Sequence, residues 1–219
     1  MNINISSYNA IICDLDGTLY DKRNIVRYLL IGERYRLNFL ASERKARAKL
    51  KGKWFGTQEA FYNAYFKEMA NEYLLSEEAA RTWYFSNYMP LMAEVLKKHY
   101  THREWVPQLI TDCHNNNIPI VVYSDYDFVE EKLRAIDLNP ADFDLVIAAS
   151  ELGGLKPCRE AAQKLIDRLS KIFESKEKPI AGEPPALIHL EPNNILFIGD
   201  RDDTDGKSAE AVGAKFYKV

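Results

Sequence analysis

The sequence predicts an α/β protein: a mostly parallel sheet flanked by helices. Short apolar runs recur at 10–13, 118–123, 144–149, 194–198 and 214–219. They are of strand length, as expected of a mostly parallel sheet with helices outside. Amphipathic stretches follow several of them, the alternation that gives parallel strands their helical crossovers. Between the first two runs, residues 21–100 hold several helix starts and no strand-like alternation. That interval predicts a helical module inserted into an α/β core made of residues 1–20 and 101–219.

Within the module, Thr57 and Ser76 each precede glutamates that suit a helix N-terminus. Phe61, Tyr65, Met69 and Tyr73 then repeat every fourth residue, a stripe expected to form the module's own core. The segment Arg44 to Lys53 is strongly basic; it reads first as a solvated helix face and second as an attractor of anions. Thr101-x-x-Glu104 has the form of a capping box opening a helix through Trp105, Leu109 and Cys113. Helical spacing returns in Val129, Leu133 and Ile136, and again in Ala161, Leu165, Leu169 and Ile172. From Ser175 to Asn193, Pro179, Gly182, Pro184, Pro185 and Pro192 predict a long irregular connection.

Composition narrows the function classes. The chain has 219 residues, 47% of them apolar, enough for a substantial core. A formal net charge of -3 supplies no basic field, so neither nucleic acid nor a membrane is an expected partner. No stretch has the length of a membrane span, and the N-terminal residues lack a secretion-signal pattern, so a cytoplasmic location is expected. Cys13, Cys113 and Cys158 are scattered without metal or redox spacing and are expected as buried thiols. His99 and His102 are expected at the surface near a helix boundary. Oligomeric state is not legible.

The chemistry lies where apolar runs end. Asp14-Leu15-Asp16-Gly17-Thr18 follows the first run, and Gly17 allows the sharp turn that lets both acids face one site. A calcium loop starting at Asp14 needs glycine where Leu19 stands and glutamate where Ile25 stands, so that rival fails. A second acidic cluster, Gly199-Asp200-Arg201-Asp202-Asp203-Thr204-Asp205, follows the fourth run. Ser124 ends the second, and Lys156 follows the third through Gly153-Gly154. Alone, a strand-end serine is turn chemistry and a lysine is a surface charge. Parallel strands, however, gather their carboxyl ends at one edge of the sheet. Asp14, Asp200 and Asp205 with a backbone oxygen then make a hard oxygen shell suited to Mg2+.

In order, Asp14-Leu15-Asp16-Gly17-Thr18-Leu19-Tyr20, Ser124, Lys156 before Pro157, and Gly199-Asp200 with Asp205 resemble the four motifs of the haloacid dehalogenase superfamily. The resemblance implies a Rossmann-like sheet with a helical cap inserted after the first motif, as in the phosphoglycolate phosphatase-like branch. It also implies that Asp14 is the nucleophile and Asp16 the general acid and then base. Phosphate would be held by Asp14, Gly17, Thr18, Ser124, Asp125 and Lys156. Magnesium would be bound by Asp14, the Asp16 carbonyl and Asp200, with Asp205 or its competitor Asp203 in support. Asp125 departs from the asparagine or glycine often found after the serine.

The activity expected from this resemblance is magnesium-dependent hydrolysis of a small phosphorylated metabolite through an aspartyl-phosphate. A phosphomutase would share the four motifs and differ in the acceptor. A dehalogenase of the same fold would not need an acid at Asp16, having no leaving alcohol to protonate. A signalling receiver domain would lack the inserted helices, and a non-catalytic binding protein would not need every catalytic group.

Overall fold

The computed structural model describes residues 4–73, 75–176 and 191–219. Five parallel strands, β1 (Ala10–Cys13), β2 (Ile120–Ser124), β3 (Leu145–Ala148), β4 (Ile195–Gly199) and β5 (Lys215–Lys218), lie in the order β3-β2-β1-β4-β5. All five predicted runs are therefore strands. β1, β2 and β4 are buried along their whole length, as their unbroken apolar sequences require. β5 is an edge strand whose terminal residues Lys215 and Lys218 are exposed, charges that discourage pairing with another chain.

Register fixes what meets at the carboxyl edge. Cys13, the last residue of β1, lies opposite Val122 on one side and Ile198 on the other. The Asp14 amide continues the ladder by donating to the Ile198 carbonyl at 2.9 Å. Ser124 ends β2 opposite Ala148. Asp14, Ser124 and Asp200 are thus side by side before any side-chain contact is considered.

Between β1 and β2 lie α1 (Ile25–Gly32), α2 (Leu37–Leu50), α3 (Gln58–Tyr73), α4 (Glu77–Trp83), α5 (Met89–His99) and α6 (Val106–Asn115). A π-helical turn, Tyr84–Tyr88, joins α4 to α5. Thr57 Oγ1 accepts from the Ala60 amide at 3.1 Å and Ser76 Oγ from the Ala79 amide at 3.0 Å, so both expected helix starts are capped. Phe61, Tyr65 and Met69 are buried as expected, with the Phe61 and Tyr65 rings stacked at 5.5 Å. The Tyr73 side chain lies outside the described residues.

The Thr101–Glu104 capping box does not form. α6 begins after Trp105 with Pro107 in its first turn and has no side-chain cap. The preceding backbone is committed elsewhere: the His102 amide donates to Ile136 O at 3.1 Å and the Arg103 amide to Leu19 O at 2.7 Å. Tertiary hydrogen bonds hold these residues extended against the first motif and outweigh the local helix signal.

α7 (Val129–Ala135) buries Val129 and Leu133, with Ile136 just beyond it, and α8 (Arg159–Lys176) buries Ala161, Leu165 and Leu169. α9 (Lys207–Ala211) precedes β5. Of the predicted connection from Ser175 to Asn193, residues 177–190 lie outside the described residues. The three cysteines are buried and free. His99 is exposed and stacks on the Tyr28 ring at 3.9 Å. Among the described residues, no helix is long and apolar enough to cross a membrane.

Asp127, in the turn after β2, ties the inserted helices to the sheet. Its buried carboxylate accepts from Tyr62 Oη of α3 at 2.7 Å, Tyr84 Oη at 2.7 Å and Ser150 Oγ at 2.6 Å. Removing the acceptor leaves Tyr84 Oη without this partner and leaves Tyr62 Oη and Ser150 Oγ only their mutual contact at 3.3 Å, a costly loss in a buried site. Asp127→Ala is expected to lower unfolding stability by about 3 kcal/mol in urea titration, and Tyr84→Phe by markedly less. An unchanged midpoint for Asp127→Ala would show that this network is no strut.

Candidate active site

Asp14 and Asp16 leave the same strand tip for different surroundings. Asp14 Oδ2 accepts from Thr18 Oγ1 at 2.9 Å, and its Oδ1 accepts from Lys156 Nζ at 2.7 Å. Gly17, at φ +104°, turns the chain between Asp16 and Thr18. The backbone conformation calls for glycine, and a Cβ there, 2.6 Å from Asp200 Oδ2 and 2.6 Å from Lys22 Nζ, would displace the Lys22–Asp200 pair.

The Lys156 ammonium is buried, with three acceptors for its three protons. They are Asp14 Oδ1 at 2.7 Å, Asp205 Oδ1 at 2.7 Å and the Tyr123 carbonyl at 3.0 Å. Burial pulls the lysine pKa down, but the flanking carboxylates outweigh it and hold the group well above the usual lysine range. Burial pushes Asp14 the other way. Desolvation, with Asp205 and Asp16 nearby, raises its carboxyl to about 7 against the opposing pull of Lys156.

Asp16 sits among donors. Its Oδ1 accepts from Tyr20 Oη at 2.8 Å; its Oδ2 accepts from Ser124 Oγ at 2.9 Å and from Lys132 Nζ at 2.6 Å. Burial alone would raise its pKa, but Lys132, Tyr20 and Ser124 together lower it below the usual carboxylate value. Sequence reasoning missed Lys132, which is fully buried on α7. A signal was present: Lys132 falls at helical spacing with Val129, Leu133 and Ile136, on the face that turns inward.

Asp205 is buried beside Asp14 and Asp200, each offering a carboxylate oxygen within 4.8 Å of the others'. Asp203, its competitor, points away and pairs with Arg201 and Lys51 near the surface. Lys22 Nζ rests 2.5 Å from Asp200 Oδ2 and 3.0 Å from the Asp16 carbonyl oxygen. A cation is therefore already at home on those two oxygens. With Asp14 and Asp205 they form an all-oxygen donor set, which fits a hard divalent ion and would not suit a soft one.

Asp125 serves the opposite wall. Its Oδ1 accepts from the Lys156 amide at 2.8 Å, and burial raises its pKa despite Lys156 and Arg47. Its carbonyl accepts from Arg47 Nη1 at 2.9 Å. Arg47 also bonds Glu43 Oε1 at 2.8 Å and lies 3.9 Å above the Tyr126 ring. The basic segment is thus only partly the solvated face expected: Arg44, Lys45 and Lys49 are exposed, whereas Arg47 turns inward.

Beyond α2 the chain docks directly on the turn that carries Lys156. The Phe55 amide donates to Gly153 O at 2.7 Å and the Gly52 amide to Leu155 O at 3.2 Å. A Cβ on Gly154 would lie 2.7 Å from Lys53 O, which explains the small residue. These walls enclose a cavity of about 640 Å³ that reaches from Asp14, Asp16 and Lys156 to α1 and α2.

The comparisons with known proteins follow this geometry. The family model for haloacid dehalogenase-like hydrolases matches residues 8–213. No curated protein matches the chain in sequence. Among solved structures, the chain resembles the putative HAD-hydrolase YfnB from Bacillus subtilis, bound to magnesium, at 13% identity and a TM-score of 0.60, covering 97% of this chain and 88% of that one. An HAD phosphatase from Thermococcus onnurineus is 17% identical with a TM-score of 0.60, covering 96% and 86%. CbbY from Rhodobacter sphaeroides, in complex with xylulose-(1,5)bisphosphate, is 16% identical with a TM-score of 0.57, covering 95% and 84%. At these identities the likeness speaks for the fold, whereas the family match spans nearly the whole chain and includes every strand-tip residue described above. The chain belongs to the haloacid dehalogenase-like hydrolases.

Proposed function

We propose that the chain is a magnesium-dependent phosphatase that hydrolyses a small phosphate monoester through an aspartyl-phosphate on Asp14. The observation that carries this reading is the separation of the two acids: Asp14 is held by Lys156 and Thr18, Asp16 by Lys132, Ser124 and Tyr20. One is fixed for attack and the other is placed among proton carriers. A dehalogenase would have no use for the second.

In the first half-reaction an Asp14 oxygen forms a bond to phosphorus as the ester oxygen leaves. The leaving oxygen takes a proton from Asp16. In the second, Asp16 removes a proton from water, which attacks phosphorus and frees Asp14. Lys132 keeps Asp16 ionised at rest, and a phosphate dianion arriving beside it raises its proton affinity, so substrate binding loads the acid. Lys156 steadies Asp14, the Ser124 hydroxyl holds Asp16 by donating to its Oδ2, and the turn after it, Asp125 and Tyr126, lines the cavity beside the phosphoryl position. Asp14, the Asp16 carbonyl, Asp200 and Asp205 would hold magnesium, which when bound neutralises charge on the phosphoryl group. Residues 21–100 act as a cap over the core, with Arg47 and Lys51 as contacts between them.

Phosphate release from an aryl phosphate with magnesium, set against chelator, is the direct test. Asp14→Asn is expected to lower turnover about a thousandfold or more, and Asp16→Asn to lose turnover while still binding inorganic phosphate. Equal rates in wild type and Asp14→Asn would sink the reading.

The raised Asp14 pKa has a signed consequence for the metal-free protein. A carboxyl whose folded value lies near 7, above its unfolded value, stabilises the fold at low pH, and that stability is lost as pH rises through 7. Urea midpoints of wild type in chelator should fall between pH 5 and pH 8 by more than those of Asp14→Asn. A steeper fall in the variant would contradict the assigned environment.

Lys22 occupies two oxygens of the proposed metal set, so it competes for them. Lys22→Met is expected to bind Mg2+ about tenfold more tightly by calorimetry, the factor that a lost competing contact of about 1.4 kcal/mol corresponds to. Weaker binding in that variant would show that Lys22 supports the site instead.

A further inference from the structure

The cavity has two ends of opposite character, and the polarity changes along a single helix. On α2 the residues facing the cavity run from Leu37, Leu40 and Ala41 near its N-terminus to Arg44 and Arg47 toward its C-terminus, with Lys51 just beyond. The basic end approaches Asp125 and Lys156, where Arg47 bonds the Asp125 carbonyl. The apolar end faces α1, which contributes Ile25, Val26, Leu29 and Leu30 to the same cavity at helical spacing. Val26, Leu30 and Leu37 remain 53%, 45% and 49% exposed. Apart from Trp54, the large apolar side chains exposed among the described residues all lie between positions 26 and 37.

Resting on the phosphatase reading, we propose that the substrate is the phosphate monoester of an apolar alcohol, with an alkyl or aryl body lying between α1 and α2. The phosphate end of the cavity is charged and hydrogen-bonding. Beyond Arg44, the aliphatic side chains of α1 and α2 offer a polyol no hydrogen-bond partners. A sugar body there would set hydroxyls against hydrocarbon with no side-chain partner on these two helix faces, whereas a hydrocarbon would cover apolar surface that otherwise faces water. Occupancy by the leaving group follows from continuity: one cavity joins this face to the proposed nucleophile.

The test is phosphate release from ethyl, butyl, hexyl and octyl phosphate, below their micelle concentrations, beside glycerol phosphate. The kcat/KM is expected to rise about two- to fourfold for each methylene that reaches α1 and α2. Leu37→Glu is expected to cut the octyl-to-ethyl ratio about tenfold. Equal values along the series, or preference for glycerol phosphate, would overturn the apolar assignment while leaving the phosphatase intact. Calorimetry of octylphosphonate against ethylphosphonate reads the same preference without turnover. Tighter octylphosphonate binding with no hydrolysis of any ester would uphold the apolar site and overturn the phosphatase; no hydrolysis and no difference in binding would overturn both.

Discussion

The buried ammonium of Lys156, held between Asp14 and Asp205, is the constraint around which the carboxyl edge of the sheet is organised. Three chain segments that are distant in sequence supply that triad: the tip of β1, the turn after β3 and the turn after β4. Uncompensated, any of these charges would be costly to bury, and removing one partner strands the others. Asp14 therefore has its orientation set by a residue 142 positions away. The same ammonium takes the Tyr123 carbonyl, so the end of β2 is drawn into the arrangement as well.

Around this triad the charges divide into two circuits. Asp14, Asp205 and Lys156 form one, and Asp16, Lys132, Ser124 and Tyr20 the other. The two acids are two residues apart, yet their pKa values are driven in opposite directions, Asp14 upward by burial and Asp16 downward by its donors.

The fold was largely legible because β1, β2 and β4 are buried on both faces, so hydrocarbon content alone marks them. Asp14, Ser124, Lys156 and Asp200 were legible because parallel strands bring their ends together, whatever lies between. Other features depend on tertiary contacts that leave a fainter trace. Lys132 had a signal, a cation on an inward helical face, but its partner lies 116 residues away. Lys22 binds a backbone carbonyl and Asp200, and no side-chain pattern announces such a contact. Asp127 carries no mark of its own in the sequence, although it gathers three hydroxyls from separate elements. The Thr101 box failed for the converse reason: its backbone is held by Leu19 and Ile136.

The stretch between α2 and α3 has the look of an ordinary surface loop, with two glycines and exposed residues at 52–54. Surface loops usually absorb insertions and deletions without harm. This one pairs its backbone with Gly153 and Leu155, next to Lys156. Changes of length there would be transmitted to the ammonium that orients Asp14, so in evolutionary drift the span of this loop is as constrained as that of an active-site segment.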